Sequence, residues 1–268
     1  MELPNNEFKR ALREGRRQVG IWSSLSHHIA AEILAGAGFD WVLLDTEHSP
    51  NELPMVHNQL QAMAGGTATP IVRPAWNDMV LVKRYLDVGA QTLLLPYVQN
   101  EQEARNAVAY TRYPPQGVRG FSGGSRASGY GRVKDYHHRA QEELCVLVQT
   151  ETRAALSQIE SIAAVDGVDG VFIGPGDLSA DMGHLGDTRH ADVWKAIEDA
   201  ATRIRKAGKA PGILVGEADA QRCLDMGYLF VAVGSDVAIL TRTADALAAK
   251  FRPERLRANT QSAKASDS

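Results

Sequence analysis

Eight short apolar runs, each separated from the next by a helix-like stretch, organise this chain from end to end. They are Val19–Trp22, Trp41–Asp45, Pro70–Arg73, Thr92–Leu95, Leu144–Gln149, Gly170–Ile173, Gly212–Val215 and Leu229–Val233. Runs this short and this continuously apolar read as strands buried on both faces. The stretches between them, such as DMVLVKRYLDVGA and DVWKAIEDAATRIRKAG, carry the apolar spacing of amphipathic helices. Several close on a glycine, the expected helix stop: Gly38, Gly89, Gly208 and Gly227. An open doubly wound sheet uses the same alternation. The count of eight favours a closed, single-domain (β/α)8 TIM barrel over residues 1–252, and no GxGxxG follows the first strand. Residues 253–268, PERLRANTQSAKASDS, are polar and are expected to form a disordered tail.

Composition narrows the partners. A net charge of −3 offers no basic footprint for nucleic acid. Cys145 and Cys223 make neither a disulfide framework nor a CxxC motif, so both are expected to be reduced core residues. The opening MELPNNEFKRALREGRRQ lacks the apolar stretch of a signal peptide, and no run is long enough to span a bilayer. A cytoplasmic protein without a membrane partner is the expectation.

Barrels of this type carry their chemistry at the C-terminal ends of the strands, and those ends can be read off. The second run ends in Asp45, with Glu47 and His48 just beyond; the third ends in Arg73; the fifth leads into Gln149-Thr150-Glu151; the sixth leads into Gly174-Pro175-Gly176-Asp177. Six polar groups, Asp45, His48, Arg73, Gln149, Glu151 and Asp177, are thereby expected at one mouth. Glu151 and Asp177, from adjacent strands, are the natural ligand pair for Mg²⁺ or Mn²⁺. The alternative for them is local pairing with Arg153 or a helix terminus. Glycines at 174 and 176 are expected to make a tight turn, with amides able to hold an anion. VGSD, Val233–Asp236, is a weaker candidate for a phosphate cup. None of the lysines falls at a strand's C-terminal end, which argues against a covalent imine mechanism.

The blocks LLDTEHSPN, PIVRPAWND, LDVGAQTLLLPYVQN, RYPPQGVRG, VLVQTET and GVDGVFIGPGDLSADMG resemble the class II pyruvate aldolases of the HpcH/HpaI family, the 4-hydroxy-2-oxoheptanedioate aldolase type. The resemblance implies a metal-dependent carbon–carbon lyase that cleaves 4-hydroxy-2-oxo acids reversibly to pyruvate and an aldehyde, through a pyruvate enolate. It implies one divalent metal ion (Mg²⁺, Mn²⁺ or Co²⁺) on Glu151 and Asp177 and no organic cofactor. Arg73 and Gln149 then contact substrate, the amides of Gly176 and Asp177 hold the pyruvate carboxylate, and Trp22 and Leu214 line the aldehyde side. His48, oriented by Asp45, is the implied base; Glu47 is left with a loop hydrogen bond. Asp87 is implied to reach a neighbouring subunit's site, within a homo-hexamer built as a trimer of dimers that exchange the last helix. The loop FSGGSRASGYG, Phe121–Gly131, departs from the family pattern and leaves the aldehyde open. Two rival readings are a CoA-thioester lyase of the malyl- or citryl-CoA type and an inactive barrel serving as a binding protein.

Overall fold

In the computed structural model, which describes residues 1–252, the eight apolar runs form a closed barrel in the order β1 to β8, every neighbouring pair parallel. The strands are β1 (Gln18–Ser23), β2 (Trp41–Asp45), β3 (Thr69–Arg73), β4 (Thr92–Leu95), β5 (Cys145–Thr150), β6 (Gly170–Ile173), β7 (Ala210–Leu214) and β8 (Phe230–Ser235). The helices are α1 (Glu7–Arg13), α2 (His28–Ala35), α3 (Leu53–Ala62), α4 (Met79–Asp87), α5 (Glu101–Thr111), α6 (Tyr136–Glu143), α7 (Arg153–Ser157), α8 (Ile159–Ala164), α9 (Pro175–Asp181), α10 (Ala191–Lys206), α11 (Glu217–Met226) and α12 (Asp236–Phe251). The tail expected at 253–268 lies outside the described residues. No helix among the described residues is long and apolar enough to cross a membrane.

Strand parity divides the core in two. Side chains of successive strand residues face opposite ways. In β2, Val42 and Leu44 pack outward with the helix layer, whereas Trp41 and Leu43 face the barrel interior. The interior cluster also holds Trp22, Ile71, Leu94, Leu147, Phe172 and Phe230. Phe8 and Leu12 of α1 close it from the strands' N-terminal end, Phe8 meeting Trp41 and Phe230 edge to face. Each such side chain contributes about 1.5–3 kcal/mol when fully buried. With Trp41 and Phe230 across the lower barrel, the neighbouring strands carry glycine. A Cβ at Gly20 would lie 2.1 Å from the Trp41 ring, and one at Gly212 would lie 2.1 Å from the Phe230 ring.

The filled interior leaves the C-terminal mouth as the place where inward-facing positions become polar. Inward parity continues from Leu43 to Asp45, from Ile71 to Arg73 and from Leu147 to Gln149. The mouth is fastened by Asp236 at the start of α12. Its carboxylate accepts from Ser23 Oγ (2.9 Å), Ser24 N (2.9 Å) and Leu25 N (3.1 Å), anchoring the β1–α2 loop. Within VGSD, Asp236 is thereby committed to this anchoring role.

Candidate active site

Register places the central pair. Asp45 and Arg73 are direct partners in the β2–β3 pairing and share the inward face. Arg73 Nε donates to Asp45 Oδ1 at 2.8 Å and Nη2 donates to Oδ2 at 2.7 Å, a bidentate pair with both side chains buried. The guanidinium lies over the Trp22 ring at 4.8 Å, and the indole N–H donates to Asp45 Oδ2 at 3.2 Å. The Asp45 carboxyl is held below its ordinary value: burial opposes this, and the Arg73 hydrogen bonds and charge outweigh it.

Three expectations change here. Asp45 does not orient His48, because both its oxygens are taken by Arg73, Trp22 and the Glu47 amide. Trp22 is buried beneath Arg73, packed on Phe172 at 5.6 Å, with little surface to offer an aldehyde. Glu47 has a larger part than a loop hydrogen bond. Its Oε2 lies 2.7 Å from Arg73 Nη1 and 4.0 Å from His48 Nε2. Burial pushes its carboxyl up to about 7; Arg73 opposes this, and Asp45 and Asp177 add to it. The His48 side chain is 65% exposed and stands at the edge of the mouth.

Across the mouth, β5 delivers Glu151, which is buried at its C-terminal end. Gln149 Nε2 donates to Glu151 Oε2 at 2.5 Å, and the Tyr97 amide donates to Oε1 at 3.2 Å. Burial raises Glu151 to about 7; Asp177 and Glu47 push in the same direction, against the Gln149 hydrogen bond and Arg73. Gly174 is needed for close approach: a Cβ there would sit 2.3 Å from Glu151 Oε2. The tight glycine turn expected at 174–177 is instead the start of α9. Gly174 is extended (φ −93°, ψ 95°), and Pro175 opens the helix. The first-turn amides of Gly176 and Asp177 have no carbonyl one turn back to bond. Leu214 ends β7 half-buried, lining a cleft of about 350 Å³ together with Gly176.

Asp87 lies elsewhere in the chain. It ends α4 in the outer helix layer, ahead of β4, beside Leu53 and Pro54 at the start of α3. It accepts from Arg119 Nη2 at 2.9 Å, and Arg119 is fully buried with its guanidinium 4.6 Å over the Tyr113 ring. Among the described residues, His184, His190 and Asp192 form another group of ligand-type side chains. The two imidazoles are stacked at 3.5 Å and 15°, so their lone pairs lie in nearly parallel, offset planes.

The residues at the mouth fit a divalent cation. The Asp177 carboxylate raises the proton affinity of both Glu47 and Glu151, Arg73 is the cation opposing it, and the buried Gln149 Oε1 has no partner. Glu151 and Asp177 supply the hard oxygen donors such an ion takes.

A parallel barrel with ionisable groups gathered at the strand ends is the frame of a barrel enzyme. The chain belongs to the HpcH/HpaI aldolase/citrate lyase family, whose model matches residues 18–243. The 4-hydroxy-2-oxo-heptane-1,7-dioate aldolase of Salmonella dublin is 58% identical over 252 residues, 93% of this chain and 96% of that protein. An HpcH/HpaI aldolase/citrate lyase family protein from Burkholderia cenocepacia J2315 superposes with a TM-score of 0.90 at 39% identity, over 92% of this chain and all of the other. An HpcH/HpaI aldolase from Desulfitobacterium hafniense DCB-2 gives 0.82 at 29% identity, over 89% and 94%.

Proposed function

We propose that this protein is a divalent-metal-dependent aldolase that cleaves 4-hydroxy-2-oxo acids to pyruvate and an aldehyde, and runs the reverse addition. The observation that carries the reading is Glu151: a buried carboxylate pushed up to about 7 among acidic neighbours, opposite a buried arginine. Glu151 and Asp177 would hold the ion, with Mg²⁺, Mn²⁺ and Co²⁺ as the candidates; when bound it supplies a Lewis acid.

The chain's own groups do the rest. The Gly176 and Asp177 amides bind the substrate carboxylate. Arg73, locked by Asp45 over Trp22, presents a fixed positive charge where negative charge develops on the 2-oxo oxygen as the C3–C4 bond breaks. Gln149 contacts the same end of the substrate. His48, at the exposed edge, takes the proton from the 4-hydroxyl, with Glu47 as the carboxylate nearest its Nε2. Leu214 lines the aldehyde side.

The assembly is part of the proposal. Only Asp236 of α12 is buried, and Val237, Ile239, Leu240, Leu247 and Phe251 are exposed along it. An uncovered apolar helix face marks a contact surface, which supports exchange of α12 between two copies. Asp87, paired with Arg119 and not with the groups of its own mouth, would serve a neighbouring subunit's site in a hexamer of three such dimers.

The test is pyruvate release from a 4-hydroxy-2-oxo acid, followed with lactate dehydrogenase. EDTA is expected to abolish it, and added Mn²⁺ or Mg²⁺ to restore it. Full activity in EDTA would overturn the reading.

A further inference from the structure

Tyr97 lies in the left-handed region, at φ 54°. Of the described non-glycine residues in that region (Ser26, Tyr97, Tyr130 and Asp135), it is the one bonded to the acid cluster. An aromatic residue adopts this backbone only when its surroundings impose it, and such residues gather at functional sites. Three contacts impose it here. The Tyr97 amide donates to Glu151 Oε1 at 3.2 Å, and the next amide, of Val98, donates to the Gln149 carbonyl at 2.9 Å. The Tyr97 ring lies against Trp76 at 5.6 Å and 30°. Trp76 is 53% exposed and Tyr97 41%, so core burial does not account for the pair.

We propose that Tyr97 is a positioning residue for Glu151 and that Trp76 is the clamp that keeps it in its left-handed turn. Tyr97 N–H then fixes Oε1 while Gln149 Nε2 fixes Oε2, so the carboxylate's orientation is set from both sides. The proposal rests on reading Glu151 as a carboxylate that holds a divalent cation. Groups that orient a metal-holding carboxylate are felt chiefly in metal affinity.

The experiment is calorimetric titration of the metal-free protein with Mn²⁺, for the wild type, Trp76→Ala, Trp76→Phe, Tyr97→Gly and Tyr97→Val, with circular dichroism on each. Trp76→Ala and Tyr97→Val are expected to weaken Mn²⁺ binding about tenfold or more, and Trp76→Phe to stay within about twofold. Tyr97→Gly is expected to bind more tightly than Tyr97→Val, because glycine enters the left-handed region without steric cost and keeps the amide. An aromatic pair acting only by packing would reverse that order, since glycine deletes more contact than valine. Wild-type affinity in Trp76→Ala, or weaker binding by Tyr97→Gly than by Tyr97→Val, would overturn the proposal alone. No Mn²⁺ binding by the wild type would overturn the cation reading beneath it.

Discussion

At the scale of single residues, Arg73 is the hinge of the site's electrostatics. It compensates Asp45 and Glu47 at once, and its planar fork matches the Asp45 carboxylate in a way a lysine cannot. Arg73→Ala is expected to lower kcat by about 10²–10³-fold, the cost of removing one preorganised charge-stabilising group. Arg73→Lys should recover only part of that in the coupled pyruvate assay. The acid cluster has a second consequence, for stability. Glu47 and Glu151 are both raised from 4.5 to about 7. A carboxyl that holds its proton more tightly when folded stabilises the fold fully below its unfolded value, and loses that contribution as pH rises through its folded value. In EDTA the melting temperature is therefore expected to fall between about pH 5 and pH 8, and to fall less in Glu151→Gln. Asp45, shifted downward, acts in the opposite sense but only at more acidic pH. Equal slopes for wild type and variant would contradict this account.

Elements carry two further tests. Gly20 of β1 faces the flat of the Trp41 ring, where a Cβ would sit 2.1 Å away. Gly20→Ala is expected to destabilise the barrel by about 1–3 kcal/mol, the usual cost of overpacking, read as a lower urea midpoint with an unchanged slope. On α12 the exposed Leu240 and Leu247 define the uncovered face. Leu240→Glu should lower the oligomeric mass measured by light scattering while leaving the circular dichroism of the barrel intact. The strands themselves were legible in the sequence, because strands buried on both faces leave short apolar runs bounded by turn residues, and their bounds less so. β2, β4 and β6 begin and end where the runs do, whereas β5, β7 and β8 differ at their ends. The start of α9 was misread: Gly-Pro-Gly-Asp has the composition of a turn, yet proline at a first helical position is equally compatible with a helix.

For the whole molecule, the placement of Asp87 makes the sharpest prediction. It pairs with Arg119 and not with the groups of its own mouth, so the proposed catalytic use calls for a second copy. Mixing Asp87→Asn subunits with His48→Ala subunits should then restore activity that neither has alone, through sites that combine an intact His48 with a neighbour's intact Asp87. Failure to complement, with mixed oligomers confirmed by mass, would remove Asp87 from the site. From its sequence alone the chain could be read as an eight-stranded barrel with Asp45, Arg73, Gln149, Glu151 and Asp177 at one end, because strand period and strand ends are local properties. Which of those groups touch was decided only by the tertiary structure. Register set Arg73 against Asp45 and so took Asp45 from His48; the loop beyond β2 carried Glu47 onto Arg73; and the stack on Trp76 turned Tyr97 toward Glu151. Pairings between strands and backbone angles in loops depend on contacts distant in sequence, and no local pattern of residues encodes them.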